Sequence, residues 1–577
     1  MLCWGQYTLI YTPRRQWAGL AFWPIGQLRA RGQVKGMETR ISPPWAWLTI
    51  PPRHQAAFTG VWEAATIADA AFALAEADPG FIAFVEGEAQ LSRAELVGDA
   101  EALAVALHER GLRPGDVVAF QVPNWREAAV INLAAALSGL IVNPIVPIYR
   151  DHEVRLMLAD CRARAIFVAA SFRNYDFGAM AARIRADLPD LAHVFTVRGS
   201  GPDDYAALLA EGRGKAFARP AVDPMGVKMV LYTSGTTGRP KGVLHSHTTL
   251  QHVLRKSHAH WGVAPGEATL MPSPVTHVSG YANGLEAPLL CGIRSVLMEA
   301  WKADEALALI ERHQLVGTVA ATPFLVELAA AARAAGTQLP SFRFFACGGA
   351  AVPPELIPAA RAAFAHCRPF RVFGASEVPL VTLGWPHAGE EDLAATTDGE
   401  VVDYEVRIVD AEEQPLPAGQ EGEILARGPA MMMGYADEGQ TAEAITLDGF
   451  FRTGDLGVLD ARGALTITGR KKDLIIRGGE NISAKEIEDV LHTHPLVKEA
   501  SVVAMPHDRL GEGVCAYVIA TGAVEAGQLA THVAASGLAK QKIPERFEFV
   551  SDFPRTASGK IRKDQLRADI KAKLEAA

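Results

Sequence analysis

The sequence predicts an α/β fold: a large N-terminal domain of mostly parallel sheets with a barrel-like β part, then a small α+β C-terminal domain. Three observations lead there. At 577 residues the chain exceeds what one hydrophobic core supports, so at least two domains are expected. From about Val61, helical and extended apolar patterns alternate, which is the signature of strand–helix–strand units and parallel sheet. From about Gly399 the texture changes to short alternating strands, and beyond Lys472 a fresh α+β unit of about a hundred residues begins. The boundaries that follow are 1–36 for an extension, 37–471 for the large domain and 472–577 for the small one. Apolar residues make up 49% and charged residues 21%, an ordinary globular balance, and a net charge of −9 argues against a nucleic-acid binder. The six cysteines are scattered with no Cys-x-x-Cys pair, so neither a disulfide framework nor a zinc site is indicated, and a reducing, cytoplasmic setting fits.

Residues 1–36 stand apart. They hold five Arg/Lys and three Trp but no Asp or Glu. Arg14-Arg15 before the apolar Trp17–Ile25 is faintly like a signal peptide, yet Arg29, Arg31 and Lys35 follow where a small-residue cleavage site belongs. A transit peptide is an alternative; a start placed ahead of Met37, or a disordered extension, is the plainer reading, and no core pattern is seen before Val61. Further on, Arg93–Arg110 predicts a helix stopped at Gly111, Val117–Val122 a buried strand, Glu153–Arg164 a helix and Ala165–Ala169 a strand. Ala128–Ile148 lacks charge and is long enough to span a bilayer. Asn132, Ser138, Gly139, Asn143, Pro144 and Pro147 interrupt it, so a buried helix ending near Gly139 and then a strand are expected instead of a membrane span. Ser200–Pro220 reads as a loop with one short helix.

Met229–Val243 is the richest stretch. Two apolar runs flank Thr233-Ser234-Gly235-Thr236-Thr237-Gly238-Arg239-Pro240-Lys241. Glycines let backbone N–H groups approach a polyanion, hydroxyls donate and Lys241 adds charge, so a triphosphate is the natural ligand. The spacing is not that of a Walker A loop, and Gly242–His247 looks extended, so strand, loop, strand is expected, with a helix from near Thr248. His245, His247, His252, His258 and His260 follow. With no Cys or paired carboxylate at ligand spacing, they read as residues that cap or line that helix, not as a metal cluster. Pro272–Tyr281 holds His277 among prolines and small residues.

Phe344–Ala350 and Arg371–Glu377 are each an apolar strand running into glycines. Ligands sit at the carboxyl ends of parallel strands, so the two ends suggest one site. Glu405–Val409, Gly422–Ala426 and Leu465–Thr468 read as antiparallel strands, and Met431-Met432-Met433 as core filler. Phe451–Asp455 places a carboxylate in a tight turn. Gly469-Arg470-Lys471-Lys472-Asp473 is a charge cluster ahead of the strand Leu474–Ile476 and Gly478-Gly479. A helix follows from Ser483, whose spacing to Glu486 fits a capping box. Pro554–Lys563 is a basic glycine loop.

Together, in this order, these segments resemble the adenylate-forming superfamily of acyl-CoA synthetases, luciferases and peptide-synthetase adenylation domains, over roughly Val61 to Lys563. Tyr232–Gly242 matches its phosphate loop, Pro272–Tyr281 the motif flanking the acyl pocket, Phe373–Glu377 its Tyr-Gly-x-Thr-Glu, and Phe451–Asp455 its Thr-Gly-Asp. Gly469–Asp473 resembles its hinge and Pro554–Lys560 its catalytic-lysine loop; Gly422–Tyr435 is also similar to a family segment. Two departures are mild: Phe373 stands for Tyr and keeps a ring, and Ser376 stands for Thr and keeps a hydroxyl.

The resemblance implies a reaction. A carboxylate attacks the α-phosphate of ATP to give an acyl-adenylate and pyrophosphate, and a thiol then takes the acyl group. It also implies roles. Lys560 would contact the carboxylate and α-phosphate, and Glu377 would hold Mg²⁺. Thr233, Ser234, Gly235, Thr236, Thr237, Gly238 and Lys241 would cradle the phosphates. Gly349, Ala350, Phe373, Gly374, Ala375 and Ser376 would receive the nucleotide. Asp455 would bind the ribose hydroxyls, supported by Arg470. His277, Gly280, Tyr281, Gly284 and Gly348 would line the acyl pocket, with the glycines leaving room. Gly478 and Gly479 would line a pantetheine tunnel for CoA, and Lys472 would be the hinge about which a mobile small domain swings. Amino-acid-activating relatives place an Asp shortly after the His motif; Val278–Leu285 holds no acid, so a medium-chain, alicyclic or aryl acid is expected. The overall texture, Asn143–Arg150 included, is similar to that of cyclohexanecarboxylate- and medium-chain acyl-CoA ligases. The alternative within the fold is an enzyme that loads a separate carrier protein. A non-catalytic nucleotide-binding protein is disfavoured by the presence of Lys560 and Glu377, and a plain ATPase would release phosphate, not pyrophosphate.

Overall fold

Two seven-stranded sheets carry the large part of the molecule. The computed structural model describes residues 42–233, 240–349, 352, 355–556 and 560–575; the extension at 1–36 lies outside them. The first sheet runs in the order Arg368–Arg371, Phe344–Cys347, Gly317–Ala320, Ala268–Met271, Arg294–Leu297, Ile82–Glu86, Ala89–Ser92. Only its last pair is antiparallel. The second runs Gly434–Tyr435, Lys241–Ser246, Val227–Thr233, Ile141–Pro144, Val117–Gln121, Ala165–Ala169, His193–Val197. Its last five strands are parallel and its first two pairs antiparallel.

The uncharged stretch from Ala128 resolves as expected: a helix, Arg126–Leu137, then the strand Ile141–Pro144. That helix is buried along almost all of its length because the helix Arg93–Glu109 and strands of both large sheets pack on it. No helix among the described residues is long and apolar enough to cross a membrane. The core starts earlier than Val61: Trp45, Ala46 and Ile50 are buried, and Thr49 bridges to Gly226. The apolar pattern there is too short to read as an element.

The antiparallel part after Gly399 is a four-stranded sheet, Glu405–Val409, Glu421–Arg427, Phe451–Leu459, Leu465–Arg470. A fourth sheet joins Glu480–Ile482, Ile475–Arg477, Gly511–Ala520 and Val497–His507, with Arg546–Phe549 added alongside Gly511–Ala520. The helix Ala484–His492 packs on it. Ser483 caps that helix by accepting from Glu486 N–H. Only that half of the expected box forms, because the Glu486 carboxylate pairs with Lys542 instead.

Candidate active site

The phosphate-loop candidate connects two paired strands. Val227–Thr233 pairs antiparallel with Lys241–Ser246, register Thr233 to Lys241. The strand–loop–strand reading therefore holds. Ser234, Gly235, Thr236, Thr237 and Gly238 lie outside the described residues, as does Ala350. The strand Gly434–Tyr435 closes the far side, and Ala436 N–H donates to Gly242 O at 2.7 Å. Lys241 Nζ sits 5.0 Å from the centre of the Tyr435 ring.

The same tyrosine reaches the second motif: its hydroxyl donates to Glu377 Oε1 at 2.8 Å. Glu377 O accepts from Met432 N–H at 2.8 Å, and His245 Nε2 bonds Ser376 O at 2.6 Å. Ser376 and Glu377 are thus held by His245, Met432 and Tyr435, groups that sequence reading did not connect with this motif. Tyr435 lay within a recognised segment, but nothing in its spacing points to a partner 58 residues away.

The two glycine-bearing strand ends do lie together. Phe344–Cys347 and Arg368–Arg371 are parallel neighbours in register Cys347 to Arg371, so Gly348-Gly349 and Phe373–Glu377 leave one edge side by side. Gly374 has no room for a side chain: a Cβ would lie 2.4 Å from Leu380 N. Phe373 is buried within the apolar cluster that holds Val243, Met431 and Tyr435. Gly349 has φ +80° and open space where a Cβ would stand.

The acid-side glycines differ from the expectation that they leave room. A Cβ on Gly280 would lie 2.1 Å from Pro274 O, on Gly284 2.6 Å from Met271 Cγ, and on Gly348 2.6 Å from Val372 O. These three are glycine because neighbouring chain already fills that side. His277 is partly exposed, and burial of its ring, with the Lys560 ammonium second, pushes its pKa down to about 4. Tyr281 is fully buried beneath it.

Asp455 is not in a tight turn. It lies within the long strand Phe451–Leu459, where Gly454, at φ +68°, and a register shift near Leu456 kink the ladder. Its facing residue is Arg470, whose Nε donates to Asp455 Oδ1 at 2.7 Å. Asp455 is 3% exposed. Burial raises its pKa, against Arg470 and then Lys560, which lower it. Lys560 has its own pKa lowered by burial and by Arg470, while Asp455 and Glu377 pull it up. The lysine of the C-terminal loop therefore shares one field with Asp455, Glu377, Arg470, Lys472 and His277.

Lys472 is exposed in the short turn Lys471–Asp473 that joins the third sheet to the fourth. Gly478 and Gly479 form the hairpin turn between Ile475–Arg477 and Glu480–Ile482, at φ +61° and +91°. The turn itself requires glycine there. Their surroundings are the fourth sheet, with Gly478 N–H donating to Leu510 O at 2.9 Å.

Four of the five histidines singled out in this stretch make structural contacts. His245 holds Ser376, His247 Nδ1 accepts from Ile67 N–H, His258 bonds Leu254 O and His252 pairs with Asp403. No group of His, Cys, Asp and Glu fit to hold a metal is found among the described residues.

A family model described as AMP-binding enzyme matches residues 72–436, and one described as AMP-binding enzyme C-terminal domain matches 486–560. The chain is 34% identical to the medium-chain fatty-acid–CoA ligase of Escherichia coli over 91% of this chain and 94% of that protein. It is 33% identical to the indoleacetate–CoA ligase of Aromatoleum aromaticum, over 85% and 95%. Among solved structures, ATP-bound MatB from Rhodopseudomonas palustris superimposes with a TM-score of 0.78 at 29% identity, covering 87% of this chain and 99% of that one.

Proposed function

The chain belongs to the AMP-binding enzyme family of adenylate-forming enzymes, and from that premise we propose that it makes the CoA thioester of a medium-chain, alicyclic or aryl acid. It is an AMP-forming acid–thiol ligase: ATP activates the acid as an acyl-adenylate, and the acyl group then passes to a thiol.

One observation carries the residue assignment. Asp455, buried and paired with Arg470 Nε at 2.7 Å, and Glu377, held by Tyr435, come from different segments of the large domain, and the charge of Lys560 from the C-terminal loop interacts with both. A carboxylate at neutral pH has no leaving group better than oxide. Bringing it to a triphosphate sets anion against anion, so preorganised positive charge must stand where they meet. Lys560 supplies that charge at the α-phosphate, Lys241 and the loop hydroxyls hold the outer phosphates, and Asp455 accepts from the ribose hydroxyls. Glu377 would be the protein's ligand to Mg²⁺: it is partly exposed, Tyr435 bonds one of its oxygens, and a carboxylate oxygen suits a hard cation whose remaining ligands would be phosphate and water. When bound, the ion would neutralise phosphate charge; Tyr435 would orient Glu377 for it.

For the acceptor step Lys560 is not needed, and rotation about Lys472 would carry it away and bring Gly478-Gly479 in along the CoA arm. The large domain is then 37–471 and the small one 472–577. On the acid side, Val278–Leu285 has no carboxylate to hold a substrate ammonium. The next acid, Glu286, is buried and already paired with Lys228, which supports a substrate without a charged amine. A cytoplasmic setting, where CoA is at hand, agrees with the scattered free cysteines. The test is a panel of acids scored for pyrophosphate release with and without CoA. Acid-dependent release plus a CoA thioester is expected. Release without thioester, and acyl transfer only to a carrier protein, would favour carrier loading instead.

A further inference from the structure

Past His277 the chain enters an unusual turn. Tyr281–Glu286 winds as a π-helix, and all six of its residues are buried. Such turns are rare, arise mostly as single-turn bulges within α-helices, and are frequent at functional sites. Beneath it, four polar side chains from three elements meet. Lys228 comes from the strand Val227–Thr233, Asn132 from the helix Arg126–Leu137, and Tyr281 and Glu286 from the first and last positions of the π-turn.

The connections leave the lysine complete. Lys228 Nζ donates to Asn132 Oδ1 at 3.3 Å, to the Tyr281 hydroxyl at 2.5 Å, and to the Glu286 carboxylate. The Tyr281 hydroxyl donates in turn to Asn132 Oδ1 at 2.6 Å, and Asn132 Nδ2 to Glu286 Oε1 at 3.5 Å. Lys228 is 1% exposed and Glu286 0%. A buried ion pair is a poor route to stability, because apolar residues of similar volume serve as well or better. Glu286 Oε2 is buried with no hydrogen-bond partner among the described residues, but the lysine's three donors on fixed acceptors still favour one arrangement of the elements that carry them.

Those elements bear on the reaction from one side. Tyr281 N–H donates to His277 O at 2.7 Å, so the register of the π-turn sets His277. Gly284, inside the turn, is packed on Met271 and Val275, and Val275 lies in the His277 loop. We propose that the Lys228–Glu286–Tyr281–Asn132 network sets acid specificity by holding the Tyr281–Glu286 π-turn, and with it His277, in one register. Its four members are positioning residues, and the proposal rests on the assignment of 277–284 to the acid side.

The test compares Tyr281→Phe, Lys228→Met and the double variant Lys228→Met/Glu286→Leu of the full chain, using the best acid of the panel and its homologue one methylene or ring longer. In the double variant no buried charge is left unpaired, so its melting temperature is expected to equal or exceed that of the wild type. Its KM for the acid should still rise, and its preference between the two acids fall, each by about fivefold or more, a fraction of what one methylene is ordinarily worth. The KM for ATP should stay within about twofold, since the network touches no nucleotide group. Tyr281→Phe, which keeps the charges paired, should shift the acid values in the same direction by less. Wild-type acid KM and preference in the double variant and in Tyr281→Phe would overturn the proposal, as would acid and ATP KM rising together. Failure of the functional reading shows separately, as no acid-dependent pyrophosphate release from the wild type.

Discussion

Replacing Asp455 by Asn is expected to cut ATP use while leaving the fold as stable or more so. The side chain is 3% exposed and meets Arg470 Nε at 2.7 Å. Arg470 itself is 44% exposed, so losing its partner leaves a hydrated guanidinium, at little cost. Burial raises the Asp455 pKa above its ordinary 3.8. A carboxyl whose pKa is higher folded than unfolded binds protons on folding, so its ionised form weighs against the folded state. That cost is absent below the unfolded pKa and grows as pH rises through the folded one. A neutral Asn removes it, so the variant should melt at or above the wild-type temperature at pH 7, with no gain below about pH 3.8. The functional loss comes from the charge-assisted bonds to ribose, about 1.5–3 kcal/mol, which is about 10- to 150-fold in kcat/KM for ATP. Thermal melts at several pH values and ATP-dependent pyrophosphate release measure the two effects. Unchanged ATP kinetics, or a loss of activity that tracks a fall in melting temperature, would refute the reasoning.

Three further outcomes are expected. Lys560→Ala should lose about 10²–10³ in adenylate formation yet convert supplied acyl-adenylate and CoA at near the wild-type rate, because the mixed anhydride is already activated; equal loss in both half-reactions would show a structural role. Tyr435→Phe removes the 2.8 Å bond to Glu377 and should slow adenylation by about tenfold while raising the Mg²⁺ concentration needed for half-maximal rate; unchanged Mg²⁺ dependence would detach Tyr435 from the metal carboxylate. His277, pushed down to about 4, is neutral at every pH above about 5, so kcat/KM for the acid should carry no limb near pH 6.5. Such a limb, abolished in His277→Gln, would mean that the ring titrates in the working range.

Local pairings were the legible part of this protein. Ala165–Ala169 is five apolar residues with Arg164 before it, and the strand falls there. The hairpin at the phosphate loop is read from adjacent sequence because its two strands are neighbours in the chain. Boundaries set by backbone conformation were not legible. The helix expected over Glu153–Arg164 is Asp151–Asp160, ended by Arg162 at φ +48°, a conformation that an arginine does not advertise. Gly454 looked like a turn signal but serves a kink inside a strand. Long-range polar pairs were least visible: a lone Lys228 at the head of an apolar run gives no sign of Glu286, nor Tyr435 of Glu377.

The separation of the apolar cores supports the proposed alternation, in which Lys560 would serve one half of the reaction and leave the other. Among the described residues, each buried cluster belongs wholly to one side of Lys472. The clusters built on the two large sheets and the four-stranded sheet end by Ile467, and those of the C-terminal sheet begin at Ile475. What crosses is polar: Ser483 Oγ donates to Thr468 O at 2.8 Å, and Lys560 stands in the field of Asp455, Glu377 and Arg470. Turning the C-terminal part about Lys471–Asp473 would therefore expose no apolar core. It would exchange bonds between polar groups for bonds to water, which are close to even in free energy. A fold that shared one core across this line could not give up Lys560 without partly unfolding. The boundary proposed between 471 and 472 is thus where movement costs least, and the exposed Lys472 stands at it.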